Sequence, residues 1–145
     1  MKNLLFVLAF IIFINTAFSQ ATDPALEAAR KKIAAKDYAG AKKDLSKYIE
    51  VNPKNKVALD LRGQAKSGLE DFYGGISDFT IALEIDSTFA DALNHRGAAK
   101  IELGDDESAI DDLDKAIKFN PKYSDAYTNR GFANFNLEDF QAAYF

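Results

Sequence analysis

Residues 90–123 read ADALNHRGAAKIELGDDESAIDDLDKAIKFNPKY, and the chain repeats the pattern of this stretch at a fixed distance. The pair Arg96-Gly97 recurs 34 residues earlier as Arg62-Gly63 and 34 residues later as Arg130-Gly131. A Leu-x-Asp triplet recurs at the same step in both directions. A constant period of this length is the signature of one supersecondary unit stacked on copies of itself. The sequence therefore predicts a repeat solenoid.

Each unit is predicted to be two helices joined by a tight turn. In the third unit Gly104 can take the left-handed conformation that ends a helix, and Asp105 can cap the next one. Asn120-Pro121 ends the second helix, because the residue before a proline avoids the helical conformation. The apolar residues of this unit fall on one stripe per helix, at spacings close to 3.6: Leu93, Ala99 and Leu103, then Ala109, Leu113, Ala116 and Ile117.

Small residues are predicted to let the two helices of a unit approach each other. Glycine inside a helix costs about 1 kcal/mol relative to alanine, so its recurrence at one phase needs a compensating contact. Gly63, Gly97 and Gly131 are expected to face Gly75, Ala109 and Ala143. Larger apolar residues should fill the space between units: Leu59, Leu93 and Tyr127 on the first helices, Phe79 and Leu113 on the second helices.

The arginines of the repeat are predicted to form ion pairs. Arg62 and Asp78 are sixteen residues apart, as are Arg96 and Asp112, which places each pair at one height across an antiparallel hairpin. Arg130 has no counterpart for this pair, because the sequence ends one residue before that position. We therefore expect Arg130 to be unpaired.

The first nineteen residues are predicted to be a secretory signal peptide. Lys2 gives a positive start, Leu4 to Ile14 is apolar, and Ala17 and Ser19 precede a cleavage point that leaves Gln20 first. An apolar run of about eleven residues is short for a membrane span, which needs roughly twenty. We expect an exported periplasmic or extracellular protein with no membrane span after cleavage. The alternative is an uncleaved signal that anchors the chain at its N-terminus.

Composition excludes several kinds of site. The chain has 145 residues, 48% hydrophobic and 28% charged, which indicates a globular domain. It has no cysteine and one histidine, His95, which rules out disulfides, cysteine ligands and multi-histidine metal sites. The acidic run that begins at Asp105 lacks the spacing of a calcium loop. It is predicted to stabilise a helix start and to form i,i+4 pairs, Asp111 with Lys115 and Asp114 with Lys118.

Charge is distributed unevenly along the chain. Residues 30–56 contain nine basic and three acidic residues, whereas residues from 57 onward contain eight basic and seventeen acidic residues. A basic segment could steer an anionic partner, although a solvated helix face is the simpler interpretation. Nucleic acid is not expected as a partner, because the chain is acidic overall and its lysines have few aromatic residues among them.

The repeat resembles the tetratricopeptide repeat (TPR) family over about Thr22 to Phe145. The resemblance rests in the third unit on Gly97, Leu103-Gly104-Asp105, Ala109-Ile110, Leu113, Ala116-Ile117 and Asn120-Pro121. It implies an all-α fold, a right-handed solenoid of antiparallel helix pairs with about three and a half units. The units are residues 22–55 (degenerate), 56–89, 90–123 and 124–145, the last stopping about a turn and a half into its second helix.

The resemblance implies a protein-interaction module or scaffold that binds a peptide or helix in a concave groove, with no catalysis and no cofactor or metal. Some family members clamp a C-terminal carboxylate with groove lysines, and the absence of Lys and Arg from the predicted groove disfavours that mode. His95 is expected either to make groove hydrogen bonds or to be solvated without a role. The predicted groove residues are Asp60, Gln64, Asp91, Asn94, His95, Ala98, Ile101, Thr128, Asn129, Phe132 and Phe135.

Two other classes of function stay open. The chain could be the N-terminal structural or oligomerisation part of a larger envelope protein, or the repeat domain of an enzyme whose catalytic part is missing. Because the fourth unit lacks most of its second helix, Phe140, Tyr144 and Phe145 are expected to be partly exposed. Self-association through this incomplete unit is expected to follow from that exposure.

Overall fold

The structure is a computed structural model that describes the backbone of residues 23–144 and the side chains of residues 23–138. The predicted signal peptide, residues 1–19, lies outside the described residues, as do the side chains of Phe140, Tyr144 and Phe145. Every regular element in the described part is a helix. They are α1 (Pro24–Ala34), α2 (Tyr38–Val51), α3 (Lys56–Gly68), α4 (Phe72–Ile85), α5 (Ala90–Glu102), α6 (Asp106–Phe119) and α7 (Ser124–Tyr144).

The helices form two layers. Each helix packs against the next along the chain, so that α1 with α2, α3 with α4 and α5 with α6 form hairpins. The first helices α1, α3, α5 and α7 also pack side by side, whereas the second helices α2, α4 and α6 do not touch one another within the described part. The first helices therefore form the inner layer of a curved stack, and the all-α solenoid prediction is confirmed.

The turns inside the hairpins are built as the sequence predicts. Gly104 has φ +75°, and the Asp105 carboxylate accepts a hydrogen bond from the Ser108 backbone N–H of α6. The preceding turns use the same geometry without glycine, since Lys36 has φ 60° and Glu70 has φ 65°. This conformation costs a non-glycine residue about 1–2 kcal/mol, so the packing of each hairpin must offset that cost.

The close approach at the helix glycines is confirmed in two units. A Cβ on Gly63 would lie 2.5 Å from the Phe79 ring, and one on Gly97 would lie 2.8 Å from Cγ of Leu113. Both glycines therefore make room for a large side chain of the second helix. No atom of the described residues lies within 4 Å of a Cβ placed on Gly131, so the predicted close approach does not occur there in the fourth unit.

The fourth unit differs because α7 is one continuous helix from Ser124 to Tyr144. The predicted turn near Glu138 does not form, and Ala143 lies in the same helix as Gly131 instead of facing it. A left-handed glutamate at this point would cost about 1–2 kcal/mol, which a continuous helix avoids. Tyr127 was expected in the core, but it is 45% exposed.

The predicted ion pairs form in both complete hairpins. Arg62 donates to Asp78 through Nε (2.8 Å) and Nη2 (2.7 Å), and Arg96 contacts Asp112 with the same two distances. A lysine one turn further along each first helix binds the same carboxylate, Lys66 at 2.9 Å and Lys100 at 2.8 Å. Each buried aspartate is thus held by two cations.

Arg130 is paired, contrary to the prediction. Its Nη1 lies 2.6 Å from Oδ1 of Asp114, sixteen residues earlier on α6. Arg96 uses the equivalent link when its Nη1 donates to Thr80 Oγ1 at 3.1 Å. Asp114 therefore pairs with the next unit instead of Lys118, which makes it a contact between units and not a pair within α6.

Candidate functional site

The predicted groove residues lie on α3, α5 and α7, the first helices of units two to four. Asp91, Thr128, Phe132 and Phe135 are exposed, and Gln64, His95, Ala98 and Asn129 are half-buried. Asp60, Asn94 and Ile101 are buried, which places them below the surface that they were expected to form. The inner face of α3, α5 and α7 is called the groove from here on.

Buried Asp60 organises the middle of the groove. Its Oδ1 lies 2.8 Å from Nδ1 of His95 on the neighbouring first helix, and its Oδ2 accepts a hydrogen bond of 2.8 Å from Nε2 of Gln64. A carboxylate accepts hydrogen bonds only, so Nδ1 of His95 carries the proton that it donates to Asp60. The interpretation of His95 as a solvated residue without a role is wrong, because this bond holds its ring in place.

The pKa of His95 is raised from its usual value of 6.5. Burial of the ring acts in the opposite direction and is the largest single influence, but the hydrogen bond and charge of Asp60 outweigh it together with the charges of Asp91 and Asp125. The protonated form of His95 is therefore favoured in the folded chain, with both ring nitrogens as donors.

A second network joins α5 to α7. Asn129 Nδ2 donates to Asn94 Oδ1 at 2.9 Å, and Asn94 Nδ2 donates to the Tyr123 hydroxyl at 3.3 Å. Burial of Tyr123, followed by the charge of Asp91, raises the pKa of the phenol. Asn94 has the phase in unit three that Asp60 has in unit two. The two buried residues thus each tie one first helix to the next.

A cavity of about 280 Å³ opens beside His95 and reaches residues of α1 to α5. Phe79 and Ala99 form part of its buried apolar wall, and the rings of Phe79 and His95 lie 5.8 Å apart between centroids. Sequence reasoning did not identify this cavity, because it took groove residues from the first helices of units two to four alone and so left out Ile33 and Tyr38 of unit one and Phe72 of α4.

Charges near the groove are mostly negative. Asp91 and Asp125 are exposed at the starts of α5 and α7, and Glu102 lies at the cavity. Arg62 and Lys66 of α3 are instead bound to Asp78, and Arg96 and Lys100 of α5 to Asp112. Arg30 on α1, which sequence reasoning missed, has the phase of Gln64 and Ala98 and could have been found by extending the 34-residue register.

Two further properties of the described residues bear on function. Residues 23–138 contain no group of three or more His, Asp or Glu side chains placed to hold a metal ion. Among the described helices, none combines the length and the apolar character that crossing a bilayer requires.

Comparison with known proteins identifies the repeat. A family model described as TPR repeat matches residues 97–137, which span the third unit and the start of the fourth. The repeat of this chain is therefore similar to the tetratricopeptide repeat over these residues. No functionally curated protein matches it significantly.

Solved TPR domains share the fold of this chain. The first TPR domain of human RPAP3 has a TM-score of 0.78 at 23% identity, covering 83% of this chain and 94% of that one. The first TPR of Spaghetti (RPAP3), bound to the HSP90 peptide SRMEEVD, has a TM-score of 0.74 at 24% identity, with 79% and 90% covered. The Sgt2 TPR domain of Aspergillus fumigatus has a TM-score of 0.78 at 18% identity, with 84% and 85% covered.

Proposed function

We propose that this repeat protein is a non-catalytic interaction module that binds a peptide segment of a partner protein in the groove of α3, α5 and α7. The observation that supports this most strongly is the Asp60 network. A buried carboxylate fixes His95 and Gln64 side by side at an open apolar cavity, and such a combination of apolar wall and oriented polar groups is typical of a binding site. The peptide bound by the structurally similar Spaghetti domain supports the proposal that a domain of this fold can bind a peptide.

The groove is also chemically distinct from the rest of the inner layer. Arg62, Lys66, Arg96 and Lys100 are occupied in ion pairs inside the hairpins, where they hold the two helices of each hairpin together. The groups left to a ligand are His95, Gln64, the cavity, the acidic residues and the aromatic rings of α7. This set favours recognition of side chains and backbone over the capture of a terminal carboxylate.

The proposal is tested by selecting a random dodecamer peptide library on the immobilised chain and mapping the selected peptides by NMR. We expect enriched peptides to shift the amide resonances of α3 and α5 on the groove side, with little change on the exposed faces of α4 and α6. Selected peptides that map to α4 or α6, or a library that yields no enriched peptide, would contradict the proposed function.

We further propose that the chain acts outside the cytoplasm. Lys2, the apolar run Leu4 to Ile14 and the small residues Ala17 and Ser19 support export with cleavage before Gln20. Mass spectrometry of the native protein should find Gln20, or its cyclised form, at the N-terminus. Recovery of the chain from the soluble cytoplasm with Met1 intact would reject this assignment.

A further inference from the structure

The cavity beside His95 is lined by aromatic, aliphatic and polar side chains. Ala98 is one of its small lining residues, and Phe72 and Phe79 are among its aromatic ones. At the phase of Ala98 the second unit has Gln64 and the fourth has Phe132, so unit three has the smallest side chain of these three at this point. A volume of about 280 Å³ lies just below the range of about 300–1,000 Å³ usual for small-molecule pockets. The cavity is therefore sized for a side chain.

The polar groups at the cavity match a peptide backbone. Asp60 uses one oxygen for each neighbour, which fixes the orientation of Gln64 and His95. Gln64 Oε1 and His95 Nε2 make no hydrogen bond to the described residues, so an acceptor and a ring nitrogen remain available at the cavity edge. An extended peptide offers one N–H donor and one C=O acceptor per residue. When the ring is protonated, His95 Nε2 can donate to a carbonyl while Gln64 Oε1 accepts from an amide.

The charges at the groove determine which peptide residues can lie beside the side chain that enters the cavity. Asp91 and Asp125 are close enough for their charges to act on His95, and Glu102 lies at the cavity itself. Arg30 has the same position in its repeat as Gln64 and Ala98, but it lies on α1, whereas Asp125 lies at the start of α7. An acidic flank would be repelled by these carboxylates, whereas Lys or Arg would be attracted.

We propose that the groove recognises an extended basic peptide in which one aliphatic side chain fills the His95 cavity and a neighbouring Lys or Arg pairs with Asp91, Asp125 or Glu102. This inference rests on the proposed function and specifies the chemistry of its partner. It differs in sign from the acidic peptide SRMEEVD bound by the Spaghetti domain. The His95 cavity supplies the apolar contact, and the Asp60 network supplies the backbone contacts.

Three capped peptides test the two parts of the proposal on the isotope-labelled chain by NMR titration. They are acetyl-GSKLKSG-amide, the acidic acetyl-GSELESG-amide, and acetyl-GSKSKSG-amide, which keeps the charges but lacks the aliphatic side chain. We expect the first peptide to bind at least about tenfold more tightly than either of the others, with the largest shifts at His95, Ala98 and Gln64. Added salt should weaken its binding.

Two variants locate the contact. Ala98→Phe fills the cavity with a ring that the same helical phase accommodates at Phe132, and it should reduce affinity for the leucine peptide at least about tenfold. Ser77→Phe on the exposed face of α4 adds the same ring outside the cavity and should leave affinity unchanged.

The double variant Asp91→Asn, Asp125→Asn should reduce the preference for the basic peptide over the acidic one.

The outcomes separate this inference from the proposed function. Equal or tighter binding of the acidic peptide, unchanged affinity in a folded Ala98→Phe variant, or no binding of the leucine peptide each overturns the inference. In all three cases the library-selected peptides could still map to the groove, and the proposed function would then stand with a different ligand chemistry.

Discussion

His95 and Asp60 lie on neighbouring first helices and are joined by a contact of 2.8 Å between Nδ1 and Oδ1. The contact links units two and three at the centre of the inner layer, where Asp60 is buried and the His95 side chain is 27% exposed. It is therefore both a link between repeats and the support of the candidate site. A change in the protonation of His95 should be detectable in both the stability and the ligand affinity.

The first prediction concerns pH. The pKa of His95 is raised in the folded chain, so protonated His95 stabilises the fold fully below its unfolded value of 6.5. That contribution is lost as pH rises through the folded-state pKa. We expect the free energy of unfolding in urea to fall between pH 6 and pH 8.5 and His95→Gln to remove that fall. As His95 is the only histidine, its ring resonance reports the pKa directly. A His95 pKa below 6.5 would contradict the prediction.

The second prediction compares two aspartates on α6. Asp112 is 2% exposed and binds Arg96 and Lys100, whereas the side chain of Asp114 is 54% exposed and binds only Arg130. Asp112→Asn leaves two partly buried cations without their carboxylate and should cost about 3 kcal/mol of unfolding free energy. Asp114→Asn removes an exposed pair and should cost less than about 1 kcal/mol. If both variants lose a similar amount of unfolding free energy in urea, burial does not determine how much these ion pairs contribute to stability.

The stability that the Asp112 ion pair contributes should decrease at acid pH. Burial of Asp112 raises its pKa, but the hydrogen bonds from Arg96 and Lys100 outweigh burial and leave the pKa below 3.8. A lowered folded-state pKa contributes stability above the unfolded value, and this contribution disappears as pH falls through the folded value. Acid should therefore destabilise the wild-type chain more than the Asp112→Asn variant below pH 4.

The third prediction uses two glycines at the same phase. A methyl on Gly97 would lie 2.8 Å from Leu113, whereas a methyl on Gly131 would have no atom of residues 23–138 within 4 Å. Gly97→Ala should lower the unfolding free energy by up to about 2 kcal/mol, because overpacking exceeds the gain in helix propensity. Gly131→Ala should raise it by about 0.5–1 kcal/mol, because only the propensity gain applies. If thermal unfolding shows that Gly97→Ala stabilises the chain and Gly131→Ala destabilises it, the close helix approach lies in unit four and not in unit three.

The features that recur with the period were predictable from sequence. The Arg62–Asp78 and Arg96–Asp112 pairs, the Gly104 turn and the Asp105 cap follow from one unit copied at one spacing. Contacts between units were harder to predict because neighbouring units use different residues there. Asp60 meets His95 between units two and three, but Asn94 meets Asn129 one step later. Both pairs join residues 35 positions apart, so the period predicts where the contact lies but not that the first pair carries charge, and this charge gives the groove its chemistry.

The end of the repeat was mispredicted for a related reason. The triplet Leu137-Glu138-Asp139 has the same sequence as Leu69-Glu70-Asp71, which forms a turn in unit two. The turn at Glu70, however, depends on the packing of α4 against α3. Local sequence alone does not favour a left-handed glutamate, so the helix continues where packing is missing. In this unit Arg130 pairs with Asp114 at the position where Arg96 contacts Thr80, and Tyr127 is exposed.

The last prediction separates the two phenylalanines of α7. Both are exposed, Phe132 at 56% and Phe135 at 58%. Phe132 lies three residues after Asn129 and seven after Asp125, which puts it on the groove face of the helix. Phe135 has instead the phase of Ile101, which is buried in unit three. Phe132→Ala should weaken binding of groove-directed peptides by about 1–3 kcal/mol, while Phe135→Ala should change it by less than about 0.5 kcal/mol.

The measurement is a peptide titration of both variants beside a thermal melt and a determination of mass in solution. Exposed side chains contribute little to stability, so neither variant should melt more than slightly below the wild type. If Phe135 mediates self-association, Phe135→Ala should reduce the oligomer without affecting peptide affinity. Equal weakening of peptide binding by both variants would extend the groove over the whole exposed face of α7. A loss of stability at Phe132 with full affinity would assign its ring to packing and remove it from the binding site.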